Sequence, residues 1–182
     1  MGKVKSEYEI EGIFIEQLEN MGYQFISMTN YSDVLMNFRN QFCQVNKETL
    51  ILAKGKAELS DSEFDKVILR LDNHTIYESA KILREKWILE LDNGKTIYVD
   101  FLTEDMKKNT YQVTHQITMD KAHKEDVEYK NRYDVTILVN GLPLVHIELK
   151  RRGVALKEAF NQIDRYQRDS FWAGSGLYEY VQ

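Results

Sequence analysis

The chain has 182 residues, of which 43% are hydrophobic and 12% aromatic, and a formal net charge of −5 at pH 7. Its one cysteine, Cys43, excludes an internal disulfide and a thiol cluster for zinc, and no stretch approaches the roughly 20 apolar residues that span a bilayer. Since the chain shows no signal-peptide pattern, repeat or linker-like composition, we expect a single cytoplasmic domain over residues 1–182 that does not bind a membrane, with Cys43 buried.

Positive charge is unevenly distributed along the chain. Residues 121–182 hold ten Lys and Arg against nine Asp and Glu, whereas the first 120 residues hold fourteen against twenty. This asymmetry is typical both of a side that faces phosphate groups and of an ordinary solvated surface, and charge alone does not separate the two. The basic residues concerned are Lys150, Arg151, Arg152, Lys157, Arg165 and Arg168.

The first elements in chain order are predicted to be two helices and an extended segment. Apolar residues at helical spacing predict a helix from Ser6 to Met21, with Ser6 as its N-cap and Gly22 at its end. A short extended segment, Tyr23–Met28, should follow it. A second helix is predicted over Tyr31–Asn46, with Ser32 as its cap.

Later in the chain the pattern changes to an alternation of apolar and polar residues. Trp87–Leu91 and Thr96–Leu102 flank an Asp-Asn-Gly turn and predict a hairpin, and Tyr111–Met119 predicts a further strand. Helices followed by strands and a last helix indicate an α/β fold with a central mixed β-sheet flanked by helices. The other predicted helices are Phe64–Leu71, after a cap-like stretch Ser60-Asp61-Ser62-Glu63, and Tyr77–Leu83 and Val154–Ser170.

A second predicted hairpin turns at Asn140-Gly141. Its strands, Arg132–Val139 and Leu144–Lys150, each have one apolar face and one largely polar face. A plain two-residue turn would pair Val135 with His146 and so mix the two faces. We therefore expect an odd-length loop or one bulged residue near the turn, where Gly141 can supply the positive φ of the bulge.

The corrected register is expected to set Val135 opposite Val145 and Asp134 opposite His146. The same correction gathers Asp134, Glu148 and Lys150 onto one face, because residues two apart on a strand point the same way. His146 would then be a polar neighbour of these residues rather than a metal ligand.

These residue types suit the cleavage of a phosphodiester. Two carboxylates, Asp134 and Glu148, can hold Mg²⁺, a hard cation that prefers oxygen ligands. Lys150 can orient or activate a water, or offset charge in the transition state. A Glu-x-Lys pattern is common on exposed strands, so the alternative is a solvated strand face with a cross-strand ion pair.

A resemblance adds to this pattern. The stretch NRYDVTILVNGLPLVHIELKRRGVALKEAFNQIDRY resembles the nuclease domain of the R subunit of type I restriction–modification enzymes, which is similar to the PD-(D/E)xK nuclease superfamily. The similarity covers Asp134, the Glu148-Leu149-Lys150 triplet, and Gln162 and Tyr166 as a Q-x-x-x-Y motif. Tyr133 stands where the superfamily name places a proline, and it can fill that strand position.

The resemblance implies roles for these residues. Asp134 and Glu148 would bind Mg²⁺ and Lys150 would serve the attacking water, in a restriction-endonuclease-like fold. Gln162 and Tyr166, four apart on one helix face, would contact the DNA backbone or support Lys150. The start of the chain is similar to the family's first helix, in which a glutamate often faces the metal, so Glu11 is the first choice here and Glu7 the second.

The resemblance also implies partners. Double-stranded DNA would be the substrate, and the methyltransferase (M) and specificity (S) subunits would be partners in the full enzyme. The ATP-driven translocase of such R subunits is absent from residues 1–182, so this segment is not expected to bind ATP. Two alternatives stay open: a catalytically silent docking module, and a stand-alone structure-selective nuclease.

Overall fold

The computed structural model describes residues 5–72, 74–119, 131–151, 156–166 and 177–181. In this part of the chain, no helix combines the length and the apolar composition needed to cross a membrane. The helices described are α1 (Glu7–Asn20), α2 (Tyr31–Val45), α3 (Lys47–Lys54), α4 (Asp61–Leu71), α5 (Ile76–Arg84) and α6 (Leu156–Tyr166).

The described strands form two sheets. A four-stranded mixed sheet has the order β1-β4-β5-β6, in which β1 is parallel to β4 and the other pairs are antiparallel. The first predicted hairpin does not join this central sheet, because β2 and β3 pair only with each other. The strands are β1 (Gln24–Phe25), β2 (Trp87–Glu90), β3 (Thr96–Val99), β4 (Tyr111–Met119), β5 (Asn131–Val139) and β6 (Leu142–Ile147).

Helix α1 begins and ends as its sequence predicts. The Ser6 hydroxyl accepts a hydrogen bond from the Glu9 amide at 3.2 Å, and the Glu9 carboxylate accepts one from the Ser6 amide at 2.7 Å. This reciprocal pair satisfies two amides that the helix leaves unbonded. Gly22, with φ +96°, follows the helix end. The buried residues of the helix are Glu11, Ile15 and Leu18, which lie on one face.

Two features of the helical region differ from the prediction. Asn30, not Ser32, caps α2: its side chain accepts a hydrogen bond from the Asp33 amide at 3.1 Å, and Asp33 bonds back to the Asn30 amide. Helix α3 was not predicted at all, because it begins directly after Asn46 and lacks a side-chain cap. The prediction of a buried Cys43 is confirmed.

The two faces of the central sheet are covered differently. On one face, Ile15 and Leu18 of α1 pack with Val113 and Val135 in a small apolar cluster. On the other face, the larger cluster joins residues of α2, α4 and α5 to the sheet and to the β2–β3 hairpin. The prediction of a mixed sheet flanked by helices is therefore confirmed.

The β5–β6 hairpin contains the expected bulge, but at another position. Asn140 and Gly141 have φ +50° and +80°, as in a type I′ turn, so the loop itself has two residues. The register then shifts because Leu138 pairs with Pro143 and Ile137 with Val145, which leaves Leu144 as the extra residue.

The predicted pairs of this hairpin are accordingly wrong. Val135 lies opposite Ile147 rather than Val145, and Thr136 rather than Asp134 lies opposite His146. Because the extra residue lies in β6 after the turn, each β5 residue before it pairs two residues further along β6 than predicted. Since the difference is an even number of residues, the side-chain faces of the two strands still match. If the observed register is extended by one pair beyond Val135 and Ile147, Asp134 lies opposite Glu148.

The β5–β6 turn packs tightly against α2. A Cβ atom added at Gly141 would lie 2.7 Å from the Cα of Phe38, which is backbone and cannot move away without shifting the helix. Gly141 also has φ +80°, a conformation that side chains with a Cβ disfavour. The absence of a side chain at Gly141 thus lets the β5–β6 hairpin, which carries the candidate site, pack closely against α2 and the larger core.

We expect Gly141→Ala to destabilise the chain by about 3 kcal/mol, because steric overlap adds to the cost of the left-handed backbone. Chemical denaturation would measure this. Gly94→Ala is the matched control, since Gly94 has φ +78° and open space around it, so it should cost only about 1 kcal/mol. Equal effects of the two changes would contradict a close approach at Gly141.

Candidate active site

Asp134 lies in β5 with its side chain half-buried. Its Oδ2 accepts a hydrogen bond from the Leu149 amide at 2.9 Å, which ties β5 to the end of β6. Burial raises the pKa of Asp134 to about 6, and the charge of nearby Glu148 adds to the increase, although the Leu149 amide and Lys150 oppose it. Two carboxylates are therefore held close together at the junction of these strands.

The side chain of Glu148 is only 1% exposed. Its Oε1 accepts a hydrogen bond from the ammonium of Lys150, and His146 Nε2 lies 3.6 Å from its Oε2. Burial works to raise the pKa of Glu148, but these two neighbours outweigh it and the pKa is lowered. Glu148 is thus a buried ionised carboxylate beside a second carboxylate.

Lys150 keeps its charge at this position. Partial burial works to lower its pKa, but the carboxylate of Glu148, and the charges of Asp134 and Glu7, raise it above the ordinary value. The structure therefore brings together Asp134, Glu148 and Lys150, as the sequence predicts. His146 also lies beside them, with its side chain 3% exposed.

A cleft of about 520 Å³ opens next to Lys150. Glu7, at the start of α1, borders this cleft, and its carboxylate accepts a hydrogen bond from the Arg151 amide at 3.3 Å. Gln162 of α6 lines the same cleft, so the structure places it near Lys150. Tyr166 belongs to α6, but its side chain lies outside the described part of the structure. Its role stays a prediction.

Glu11 lies one turn further along α1 and has different neighbours. Its carboxylate accepts hydrogen bonds from the Nδ1 of His115 at 2.7 Å and from the Nε2 of Gln116 at 3.1 Å. Sequence reasoning singled out neither His115 nor Gln116, because an alternating strand gives no signal that marks them. The two N-terminal glutamates thus have different neighbours: Glu7 lies near Lys150, and Glu11 contacts β4.

A second set of acidic residues, Asp92 and Asp100, lies at the β2–β3 hairpin and has structural contacts. The Asp92 carboxylate accepts a hydrogen bond from the Ser60 hydroxyl, and Asp100 forms an ion pair with Lys86 at 2.7 Å. Among the described residues, no group of three or more His, Cys, Asp and Glu side chains is placed to hold a metal ion. Asp134 and Glu148 are thus a pair of neighbouring carboxylates, without a third such group beside them in this part of the chain.

The raised pKa of Asp134 makes a prediction about stability. We expect Asp134→Asn to raise the free energy of unfolding at pH 7.5 by about 1 kcal/mol without metal, because the amide removes a half-buried charge beside Glu148. The value is smaller than the pKa difference alone implies, since solvent screens a half-buried group. Denaturant titration would measure it, and a less stable variant would contradict it.

The pH dependence of this effect has a definite sign. The folded chain disfavours the ionised form of Asp134. The loss of stability that this causes is therefore full above a pH of about 6 and disappears as the pH falls below the ordinary pKa of 3.8. The advantage of Asp134→Asn should therefore shrink between pH 7 and pH 4. Asp100→Asn is the control: since Asp100 pairs with Lys86, this change should give no gain in stability at pH 7.5.

Comparisons with known proteins show the family of this chain. The family model described as type I restriction enzyme R protein N terminus (HSDR_N) matches residues 4–182. The endonuclease subunit of the type I restriction enzyme SauCOLORF180P of Staphylococcus aureus (strain COL) is 41% identical over 179 residues, which cover 98% of this chain and 18% of that protein.

A more distant relative is the EcoprrI endonuclease subunit of Escherichia coli, 34% identical over 182 residues, which cover 98% of this chain and 54% of that protein. The putative MjaIXP endonuclease subunit of Methanocaldococcus jannaschii is 25% identical over 200 residues. The chain thus spans between about a fifth and about half of the length of these relatives. It belongs to the family of type I restriction enzyme R protein N-terminal regions.

Proposed function

We propose that this chain is the endonuclease region of a type I restriction enzyme R subunit and that it hydrolyses phosphodiester bonds of double-stranded DNA. The observation that carries the proposal is the carboxylate pair Asp134–Glu148 with the charged Lys150 beside it. Family membership supports the same function, since relatives that match over nearly the whole chain are named as endonuclease subunits.

The donor set of the site fits Mg²⁺. Glu148 Oε2 is buried and its neighbour His146 Nε2 lies 3.6 Å away, beyond ordinary hydrogen-bond distance, which leaves this charged oxygen incompletely satisfied by the described residues. A divalent cation held by Asp134 and Glu148 would satisfy that oxygen and neutralise the pair, while its other positions keep water. When bound, Mg²⁺ would polarise the phosphate and lower the pKa of a bound water.

The residues around the carboxylates would have distinct tasks. The Leu149 amide fixes Asp134 in one orientation, so the two carboxylates converge before any ligand arrives. Because its pKa is raised, Lys150 is a cation near neutral pH, and in this role it offsets negative charge on the phosphate and orients the attacking water. Gln162, on the wall of the adjoining cleft, is placed to contact the DNA backbone.

The rest of the assignment follows the family. The mixed sheet with its flanking helices is compatible with the PD-(D/E)xK fold, and residues 1–182 would form one nuclease domain. ATP use would belong to the remaining part of the R subunit, and the M and S subunits would be partners in a cytoplasmic complex. Base-specific recognition is not assigned to this region, so its DNA contacts would be mainly to phosphates and would weaken with salt.

The proposal predicts a separation of activities in the assembled enzyme. In a complex that contains the full-length R subunit, Lys150→Ala should abolish DNA cutting and leave ATP hydrolysis intact, because Lys150 acts only at the phosphodiester. Cutting on a plasmid and release of phosphate would measure the two. Lys107→Ala, at a lysine far from the carboxylates in sequence and outside the cleft, should preserve both. Loss of ATP hydrolysis with Lys150→Ala would contradict the role given to Lys150.

Metal binding can be tested on this chain alone. Isothermal calorimetry at pH 7.5 should detect Mg²⁺ binding to the wild type and at least about tenfold weaker binding to Asp134→Ala, since one of two protein ligands is lost. Asp92→Ala serves as the control, because Asp92 lies in the acidic set with structural contacts. Equal affinity of the wild type and Asp134→Ala would count against a two-carboxylate site and favour a silent docking module.

A further inference from the structure

Strand β4 contains a residue with a left-handed backbone. Gln116 has φ +53°, a conformation that is unfavourable for a residue with a Cβ atom and rare in the middle of a strand. The pairs on either side of it, His115 with Val135 and Ile117 with Tyr133, keep the same register. Gln116 is therefore the residue of β4 that stands opposite Asp134.

The side chains of both strands change face at this point. On β4, Val113 packs in the cluster under α1, whereas Ile117 packs in the larger cluster on the other face. On β5, Val135 and Tyr133 show the same division, although residues two apart on a regular strand share a face. The alternation of side chains between the two faces of the sheet thus reverses at Asp134, and Gln116, the left-handed residue of β4, lies directly opposite.

The side chain of Gln116 contacts α1. Its amide nitrogen donates to Glu11 Oε2, and the ring of His115 donates to Glu11 Oε1, so both oxygens of this carboxylate are held. The Glu11 side chain is only 7% exposed, and rotation would leave a buried charged oxygen without a donor. The two bonds therefore fix the orientation of Glu11 relative to β4.

We propose that Gln116 is a positioning residue of the nuclease site: its backbone sets the reversal at Asp134, and its amide, with the His115 ring, fixes the carboxylate of Glu11 next to that reversal. This inference rests on the proposed function. Fixing Asp134 and Glu11 on one framework holds the acidic groups of β5 and α1 in place before metal and DNA bind.

Gln116→Gly is the direct test, because glycine accepts φ +53° while the amide is removed. We expect the melting temperature of the chain without metal to change by no more than about two degrees. Glycine removes the strain of the left-handed backbone, and this gain in stability offsets the loss of the hydrogen bond to Glu11. We also expect Mg²⁺ to bind about 10-fold more weakly by calorimetry. In the full enzyme, the cutting rate at saturating DNA should fall about 10- to 100-fold with an unchanged KM for DNA.

Two further variants separate positioning from stability. His115→Ala should weaken Mg²⁺ binding in the same way, and His115→Asn should restore it, because an Asn amide can donate from near the position of Nδ1. Gln112→Ala is the matched control: Gln112 is a buried glutamine of the same strand, bonded to Asn37 at 2.9 Å. Its loss should lower the melting temperature but leave the Mg²⁺ affinity and the cutting rate of the folded enzyme unchanged.

The outcomes distinguish this inference from the proposed function. If Asp134→Ala loses Mg²⁺ affinity while Gln116→Gly binds Mg²⁺ and cuts DNA like the wild type, the positioning role is overturned and the nuclease site stands. If Asp134→Ala binds Mg²⁺ like the wild type, the site itself fails, and the role of Gln116 with it. If Gln116→Gly does not fold, wild-type Mg²⁺ affinity of His115→Ala would overturn the inference.

Discussion

The architecture around the site depends on the burial of two carboxylates side by side. Asp134 and Glu148 repel each other when both are ionised, and burial increases the cost of each charge. The chain compensates this cost in part with the ammonium of Lys150 and the amide of Leu149. What remains is a site with an excess of negative charge, which a divalent cation can neutralise. In the proposed site, the carboxylates that would bind the metal thus lower the stability of the chain when no metal is present.

Elements distant in sequence hold this pair in place. Gly141 lets the β5–β6 turn approach α2 closely, so the hairpin that carries both carboxylates is fixed against the larger core. Helix α1 covers the other face of the sheet and brings Glu7 to the cleft and Glu11 to β4. The candidate site therefore lies where the β5–β6 hairpin, α1 and α6 meet, with the central sheet as its base.

Much of this arrangement follows from local sequence rules. Capping at Ser6 and Ser60 and the gathering of Asp134, Glu148 and Lys150 are predictable, because each depends on near neighbours or on side-chain alternation. The need for a bulge is predictable for the same reason. Its position is not, since the Asn140-Gly141 pair favours a two-residue turn and the extra residue enters after Pro143.

Other features depend on tertiary contacts that a single sequence does not encode locally. The left-handed backbone of Gln116 has no glycine or asparagine to mark it, and the β2–β3 hairpin gives no sign that it stays apart from the central sheet. The different neighbours of Glu7 and Glu11 arise from how α1 crosses the sheet. Gln116 and the two glutamates lie next to the candidate site, although none of them belongs to its motif.

The central claim, that Asp134 and Glu148 form one divalent cation site, can be tested by anomalous diffraction from a crystal of this chain soaked in Mn²⁺. We expect an anomalous peak within coordination distance, about 2.0 to 2.3 Å, of an oxygen from each of the two carboxylates. A peak that contacts neither carboxylate, or no peak between them at saturating Mn²⁺, would contradict the account.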